Sequence, residues 1–211
     1  METIMMESPM IEDLKEERYI FNLLKYVFWS EPTEEFLGDL LKVTMPSEED
    51  GLDRGLTLMI ESVKRHREDL AAYAEDLAVE FARLFIGPKY PPAIPYASFY
   101  LSETKTVMTN ITIEVRKRYL NAGMAVKDLY STPDDHIGIE LEFVSYLTER
   151  TIELFEDRQR AEASRLFEIK NDFVNEHMSL WVPTFVDRLM EHAKDDFYKG
   201  AALVLNVMIK K

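Results

Sequence analysis

The stretch DLAAYAEDLAVEFARLFIGP, residues 69–88, decides the fold class. At helical spacing Leu70, Tyr73, Leu77, Phe81, Leu84 and Phe85 share one face, which is the signature of an amphipathic helix with a buried stripe. Gly87-Pro88 then stops the helix. The same period recurs on both sides. From Ser102 to Leu120 the stripe is Val107 or Met108, Ile111, Val115 and Tyr119. From Pro133 to Glu156 it is Ile137, Leu141, Val144, Thr148, Ile152 and Phe155. Leu14–Trp29 is apolar enough to lie mostly buried. Shorter helical patterns cover 33–42, 51–66, 160–178, 182–193 and 196–209. With only 7 glycines and no sustained period-2 alternation, the expected fold is all-α. It is a single-domain bundle of about eight or nine helices over 1–211, with residues 1–10 as a flexible or loosely packed start.

Punctuation refines the helices. Thr132-Pro133-Asp134-Asp135 reads as a start, with Thr132 as N-cap, proline at N1 and an acidic side chain at N3. Asn121-Ala122-Gly123 reads as an end, with glycine in the left-handed position. Pro183 is expected in the first turn of the helix that follows Trp181 and Val182. Pro88, Pro91, Pro92 and Pro95 place four of the chain's nine prolines within eight residues, enforcing an extended path. That loop and the stretch 121–132 read as ordered functional connections inside one domain, and Ser47–Asp53 as a surface loop.

Composition narrows the function. The chain has 25 Lys and Arg against 39 Asp and Glu, a formal net charge of −14. That balance argues against nucleic acid, whose binding needs cations to displace counterions, and against anionic membrane surfaces. It favours a cationic partner. There is no cysteine, which removes disulfides, iron–sulfur ligation, thiolate zinc sites and cysteine nucleophiles and agrees with a reducing cytosol. No basic n-region opens the sequence, and no apolar run approaches the ~18 residues of a membrane span. The expectation is a cytoplasmic protein without stable membrane insertion.

The common phosphate loops, the G-x-S-x-G elbow and H-E-x-x-H are absent. His136 and Glu140, spaced i, i+4, could share a metal, though a plain polar helix face is the simpler reading. His66 reads as part of a solvated basic face and His192 as a helix C-terminal group. Trp181 and His177 read as structural. Capping accounts for one aspartate of Asp134-Asp135 but not for the histidine that follows. Periodicity alone assigns Phe81, Leu84 and Phe85 to the core.

Three segments stand in a telling order. They are EFARLFIGP (80–88) with YPPAIPYASFY (90–100), PDDHIGIELEF (133–143), and HMSLWVPTF (177–185). In order and spacing they resemble the TorD/DmsD family of redox-enzyme maturation chaperones. The resemblance covers roughly 70–190, with a looser match near Tyr26, Phe28 and Trp29. The chain departs from the family pattern at Phe81 and Tyr96, where relatives often carry tryptophan, at Thr132, often glutamate, and at Lys89, aromatic in some members.

The resemblance implies a helical, non-enzymatic chaperone with no cofactor of its own. Its partners would be the twin-arginine signal peptide and apo form of a molybdopterin-dependent oxidoreductase, held for cofactor insertion before export. It implies a monomer or a helix-exchanged dimer. The peptide-binding positions it carries over are Phe81, Leu84, Phe85, Pro95, Tyr96, Asp135 and His136. Two alternatives stand beside it: a metal- or nucleotide-dependent helical enzyme using His136 and nearby carboxylates, and a generic helical peptide-binding adaptor.

Overall fold

The computed structural model describes residues 2–43, 51–88, 90–125 and 132–210, with side chains from Met10 onward. Expectations placed on 44–50, Lys89 and 126–131, and on the packing of the first nine side chains, lie outside the described residues. The helices are α1 (Glu2–Trp29), α2 (Glu34–Leu40), α3 (Gly51–Arg65), α4 (Leu70–Phe81), α5 (Ala97–Leu101), α6 (Asn110–Asn121), α7 (Ile137–Glu156), α8 (Arg160–Phe173), α9 (Ser179–His192) and α10 (Asp196–Lys210). Widened π-helical turns extend α4 over Ala82–Ile86 and join α8 to α9 over Val174–Met178. The described residues contain no strand, so the fold is all-α as the periodicity requires.

The residues gather into two compact units. One holds Met1–Lys25 and Tyr96–Leu180, the other Tyr26–Pro95 and Trp181–Lys211.

In the first unit α7 is the central rod. Thirteen of its 20 residues are buried, far more than one amphipathic face supplies. Tyr119 of α6 and Phe173 of α8 close on Phe143 of α7, with ring centroids 4.6 and 4.9 Å away. α6 ends as the glycine predicts. Gly123 has φ +80°, its N–H donates to Leu120 O at 3.1 Å, and Met124 N–H donates to Tyr119 O at 2.9 Å. Those two bonds are a Schellman cap.

In the second unit Phe85 is the centre of an aromatic cluster. Phe81, Phe28, Tyr198 and Phe185 surround it at 5.0, 5.9, 5.8 and 6.3 Å. Asp195 binds the hydroxyls of Tyr73 and Ser62 at 2.8 and 2.9 Å and caps α10 by accepting from Phe197 N–H at 2.8 Å. α3 and α10 approach so closely that backbone fills the space a side chain would take. A Cβ on Gly200 would sit 2.6 Å from Gly55 O, and one on Gly55 would sit 2.9 Å from Gly200 O.

Two element boundaries correct the sequence reading. Residues 102–109 are not helical, because Lys105 (φ 51°) and Met108 (φ 62°) are left-handed and no α-helix passes through them. α6 begins only at Asn110, where Thr109 Oγ1 accepts from Ile111 N–H, so Val107 and Met108 are exposed instead of striping a face. Pro183 is not in a first turn after a break. It lies on the fifth residue of α9, in a helical run continuous from α8. An interior proline costs roughly 3 kcal/mol. Burial of Trp181, Val182, Phe185 and Val186 on the same helix offsets it.

None of the described helices is long and apolar enough to cross a membrane.

The Gly55–Gly200 crossing makes a paired prediction. Gly200→Ala should destabilise by about 1–3 kcal/mol or more through overpacking. Gly38→Ala, inside α2 with nothing within 4 Å of the new Cβ, should stabilise by roughly 0.5–1 kcal/mol. Urea unfolding of the two variants checks both signs.

Candidate functional site

The segment between Pro133 and His136 is a turn held from two sides, by α6 and by the start of α5. His136 N–H donates to Pro133 O at 3.1 Å, closing the turn. Asp134 is fully buried, and Arg116 Nε of α6 donates to its carboxylate. One turn along α6, Tyr119 OH donates to Asp134 O at 2.9 Å. Asp135 is also fully buried. Its carbonyl accepts from Ala97 N–H at 3.0 Å and its Oδ2 from Ser98 N–H at 2.7 Å.

The helix start therefore differs from the one expected. Thr132 caps nothing in α7. His136 is the N-cap, its Nδ1 accepting from Gly138 N–H at 3.0 Å. Asp135 satisfies two of the orphan N–H groups at the start of α5, so its capping is real but serves another helix. The physical reason is competition. Once Arg116 and α5 hold the two aspartates, their backbone is unavailable to extend α7 backwards.

His136 is neutral at pH 7. Burial depresses its pKa to about 4, with Asp135 pulling weakly the other way. Nδ1 is the acceptor, so the ring proton sits on Nε2. Tyr96 meets the ring edge-on at 5.0 Å, and the backbones of Tyr96 and His136 pair antiparallel. Burial raises the Tyr96 phenol, with Asp135 adding to the rise. Around this turn several buried oxygens have no hydrogen-bond partner among the described residues: Asp135 Oδ1, Asp134 Oδ1, Ser98 Oγ and Thr112 Oγ1.

The structure thus brings Tyr96, Asp135 and His136 together. Phe81, Leu84 and Phe85 lie in the core of the second unit, at 6%, 0% and 6% exposure, as their periodicity requires. Pro95, also buried, belongs to that unit. The proline loop is pinned at two points. Ala93 N–H donates to Leu84 O at 3.0 Å, and Arg188 Nε donates to Pro92 O at 2.6 Å. Gly87 has φ +52°, and a Cβ there would meet Pro91 at 3.1 Å. Outside these contacts Ile86 and Tyr90 are strongly exposed.

The metal reading of His136 and Glu140 finds both committed elsewhere. Glu140 Oε1 lies 2.7 Å from His177 Nε2 in a buried pair, and no group of three or more described His, Asp or Glu side chains is placed to hold a metal. Burial works against a charged His177, but attraction to and hydrogen bonding with Glu140 outweigh it and raise the imidazole above its usual value.

Sequence reasoning missed Arg116, Tyr119 and Glu140 as partners. One signal was available. Glu140 lies on the apolar stripe itself, three residues after Ile137 and four before Val144, where a carboxylate needs a buried partner. Nothing in the sequence ties Arg116 to Asp134.

The sequence profile of the nitrate reductase delta subunit family matches residues 49–187. The chain belongs to this family. Among its relatives, the chaperone protein TorD of Vibrio parahaemolyticus is 27% identical over 163 residues, covering 77% of this chain and 74% of that protein. TorD of Vibrio vulnificus strain YJ016 is 30% identical over 159 residues, covering 75% and 72%. The probable Tat proofreading chaperone DmsD of Haemophilus influenzae is 26% identical over 191 residues, covering 86% and 82%. The expected membership of the TorD/DmsD group holds, and the group is one of redox-enzyme maturation chaperones, not of enzymes.

The Glu140–His177 pair makes a pH prediction. A histidine whose folded pKa is raised contributes stability that is present below its unfolded pKa and lost as pH rises through the folded value. Wild-type stability should therefore contain a component that falls from pH 6 upward. Glu140→Gln should cost about 3 kcal/mol, the low end for breaking a buried pair, and reverse that component, because burial, helped by the Arg118 charge, then depresses His177 against a smaller opposing pull from Asp135. Urea midpoints between pH 5.5 and 8.5 report both effects.

Proposed function

We propose that this chain is a cytoplasmic chaperone for a molybdopterin-dependent oxidoreductase. It binds the enzyme's twin-arginine signal peptide and holds the apoenzyme for cofactor insertion before export. Family membership supports the class of protein. The observation that carries the site is Asp135, a fully buried carboxylate whose Oδ1 is uncommitted and which stands beside the neutral His136 and the half-buried Tyr96. A guanidinium is the donor that suits such an oxygen, since it forms charge-assisted hydrogen bonds in a fixed plane.

In this reading the half-buried Tyr96 ring swings aside to admit the peptide's basic start to Asp135 Oδ1 while the turn keeps its form, and His136 flanks it. Phe81, Leu84, Phe85 and Pro95, which the family resemblance also carries over, belong to the core of the second unit and meet the apolar middle of the peptide only at the cost of that packing. The net charge of −14 steers a basic peptide toward the protein over a Debye length, about 8 Å at physiological salt.

Calorimetric titration with a twin-arginine peptide, beside a Lys-Lys version, tests the proposal. The expected result is micromolar or tighter binding that prefers Arg-Arg and weakens with salt. Asp135→Asn should lose roughly tenfold or more in affinity. Equal affinity for the two peptides, or an Asp135→Asn variant that binds as tightly as wild type, would sink it.

A further inference from the structure

We infer that Arg116 and Tyr119, one turn apart on α6, are positioning residues that hold the Asp134–His136 turn in the form in which Asp135 is buried and His136 caps α7. The functional consequence rests on the peptide-binding reading above, but the positioning itself does not.

Asp134 is the handle. Arg116 takes its side chain and Tyr119 takes its carbonyl, so a single residue is fixed at both its polar ends by one helix. The spacing of 116 and 119 puts both donors on neighbouring positions of the α6 surface. The two sides of the ion pair differ in exposure. The Asp134 side chain is 1% exposed and that of Arg116 is 30%. Arg116 therefore stays partly hydrated while neutralising a carboxylate that has no route to water of its own. Removing the guanidinium leaves an uncompensated buried charge, and the cheapest relief is for the turn to move outward.

The next two residues in the chain must follow such a movement. Asp135 would leave Ala97 N–H and Ser98 N–H, and His136 would leave Gly138 N–H. Tyr119 cannot compensate. It is itself fully buried, with no freedom to follow the turn. Arg116 and Tyr119 make their hydrogen bonds to this turn at Asp134. They act through Asp134, fixing beforehand the geometry that a ligand would otherwise have to order.

The test uses the full chain and reads the ring titration of His136 by NMR, assigned with a His136→Asn variant. Among the described residues, Asp135 and the Tyr96 phenol are charged or titratable groups that face this ring. Wild-type His136 should stay neutral down to about pH 4. Arg116→Met should raise its midpoint by about one pH unit or more, toward the value of a hydrated imidazole, as the ring leaves its buried site. Arg116→Lys, which restores the charge without the fork, should recover at least half of the shift. Tyr119→Phe removes one hydroxyl with little change of volume and should move the midpoint in the same direction by less. It carries the measurement if Arg116→Met does not fold.

A purely structural ion pair would lower thermal stability and leave the His136 midpoint where it was, and that result overturns the inference. Peptide affinity separates the two proposals. If wild type binds and Asp135→Asn does not, Arg116→Met should weaken binding roughly tenfold or more, and unchanged affinity would overturn the positioning role. If wild type binds no peptide, the functional reading fails, and the His136 titration still decides Arg116.

Discussion

A carboxylate with no exposed edge has to be met by donors, and two consecutive aspartates in this chain have none of their own nearby. Asp134 and Asp135 are both fully buried. Their donors come from Arg116 and Tyr119 on one side and from the start of α5 on the other. Much of the first unit follows from that requirement. α5 begins at Ala97 because Asp135 supplies its cap. α7 begins at Ile137 and not at Pro133 because the aspartates are engaged elsewhere and His136 caps it. α6 is held at this level by its two donors and terminated two residues beyond Tyr119.

The second unit rests on packing instead. Phe85 with its four aromatic neighbours, and the glycine-to-glycine approach of α3 and α10, are contacts of shape. The unit's polar elements of the kind that dominates the first unit include the Asp195 hub with Tyr73 and Ser62, and buried Glu80, which accepts from Arg83 and from Lys194 N–H. The difference bears on the motif carried by residues 81–85. Phe81, Leu84 and Phe85 are core residues first, and their place in any recognition event is bounded by the cost of exposing them. Fully exposing a large apolar side chain costs roughly 1.5–3 kcal/mol, so a ligand that engages several must return comparable contact area.

What the sequence made legible is set by which interactions are periodic. The stripe from Leu70 to Phe85 and the apolar density of Leu14–Trp29 report burial directly, and the all-α class follows. Gly123 announces its left-handed conformation because few other residues adopt it. The misreadings share a cause. Thr132-Pro133-Asp134-Asp135 has the composition of a helix start, but pairing with residues 96–98 and with Arg116, both distant in sequence, overrides the local signal. Val107 and Met108 continue a helical pattern that two left-handed residues interrupt. Pro183 reads as a boundary, yet tertiary burial on α9 outweighs its local cost. Candidate residues close in sequence, such as Asp135 and His136, could be named. Their partners on α5 and α6 could not, because hydrogen bonds across 15 to 37 residues leave no local trace.

The electrostatic character of the turn is simpler than its residues suggest. Asp134 is neutralised by Arg116, and His136 carries no charge at pH 7 because burial holds its pKa near 4. What remains is the single carboxylate of Asp135, in a setting where an added positive charge is weakly screened. The excess of acid over base lies beyond this turn. Many of the cations are already engaged with near neighbours, as in Glu12–Lys15, Asp39–Lys42, Glu61–Lys64 and Glu162–Arg165. Exposed pairs of that kind contribute little to stability, about 0–1 kcal/mol each, and they leave the surplus carboxylates unneutralised. The long-range field therefore draws a basic segment toward the protein without choosing where it binds, and in the proposed function Asp135 Oδ1 does the choosing. On that proposal, attraction belongs to the surface and selection to the buried turn. Salt should accordingly act on the first and leave the second to the geometry of Asp135.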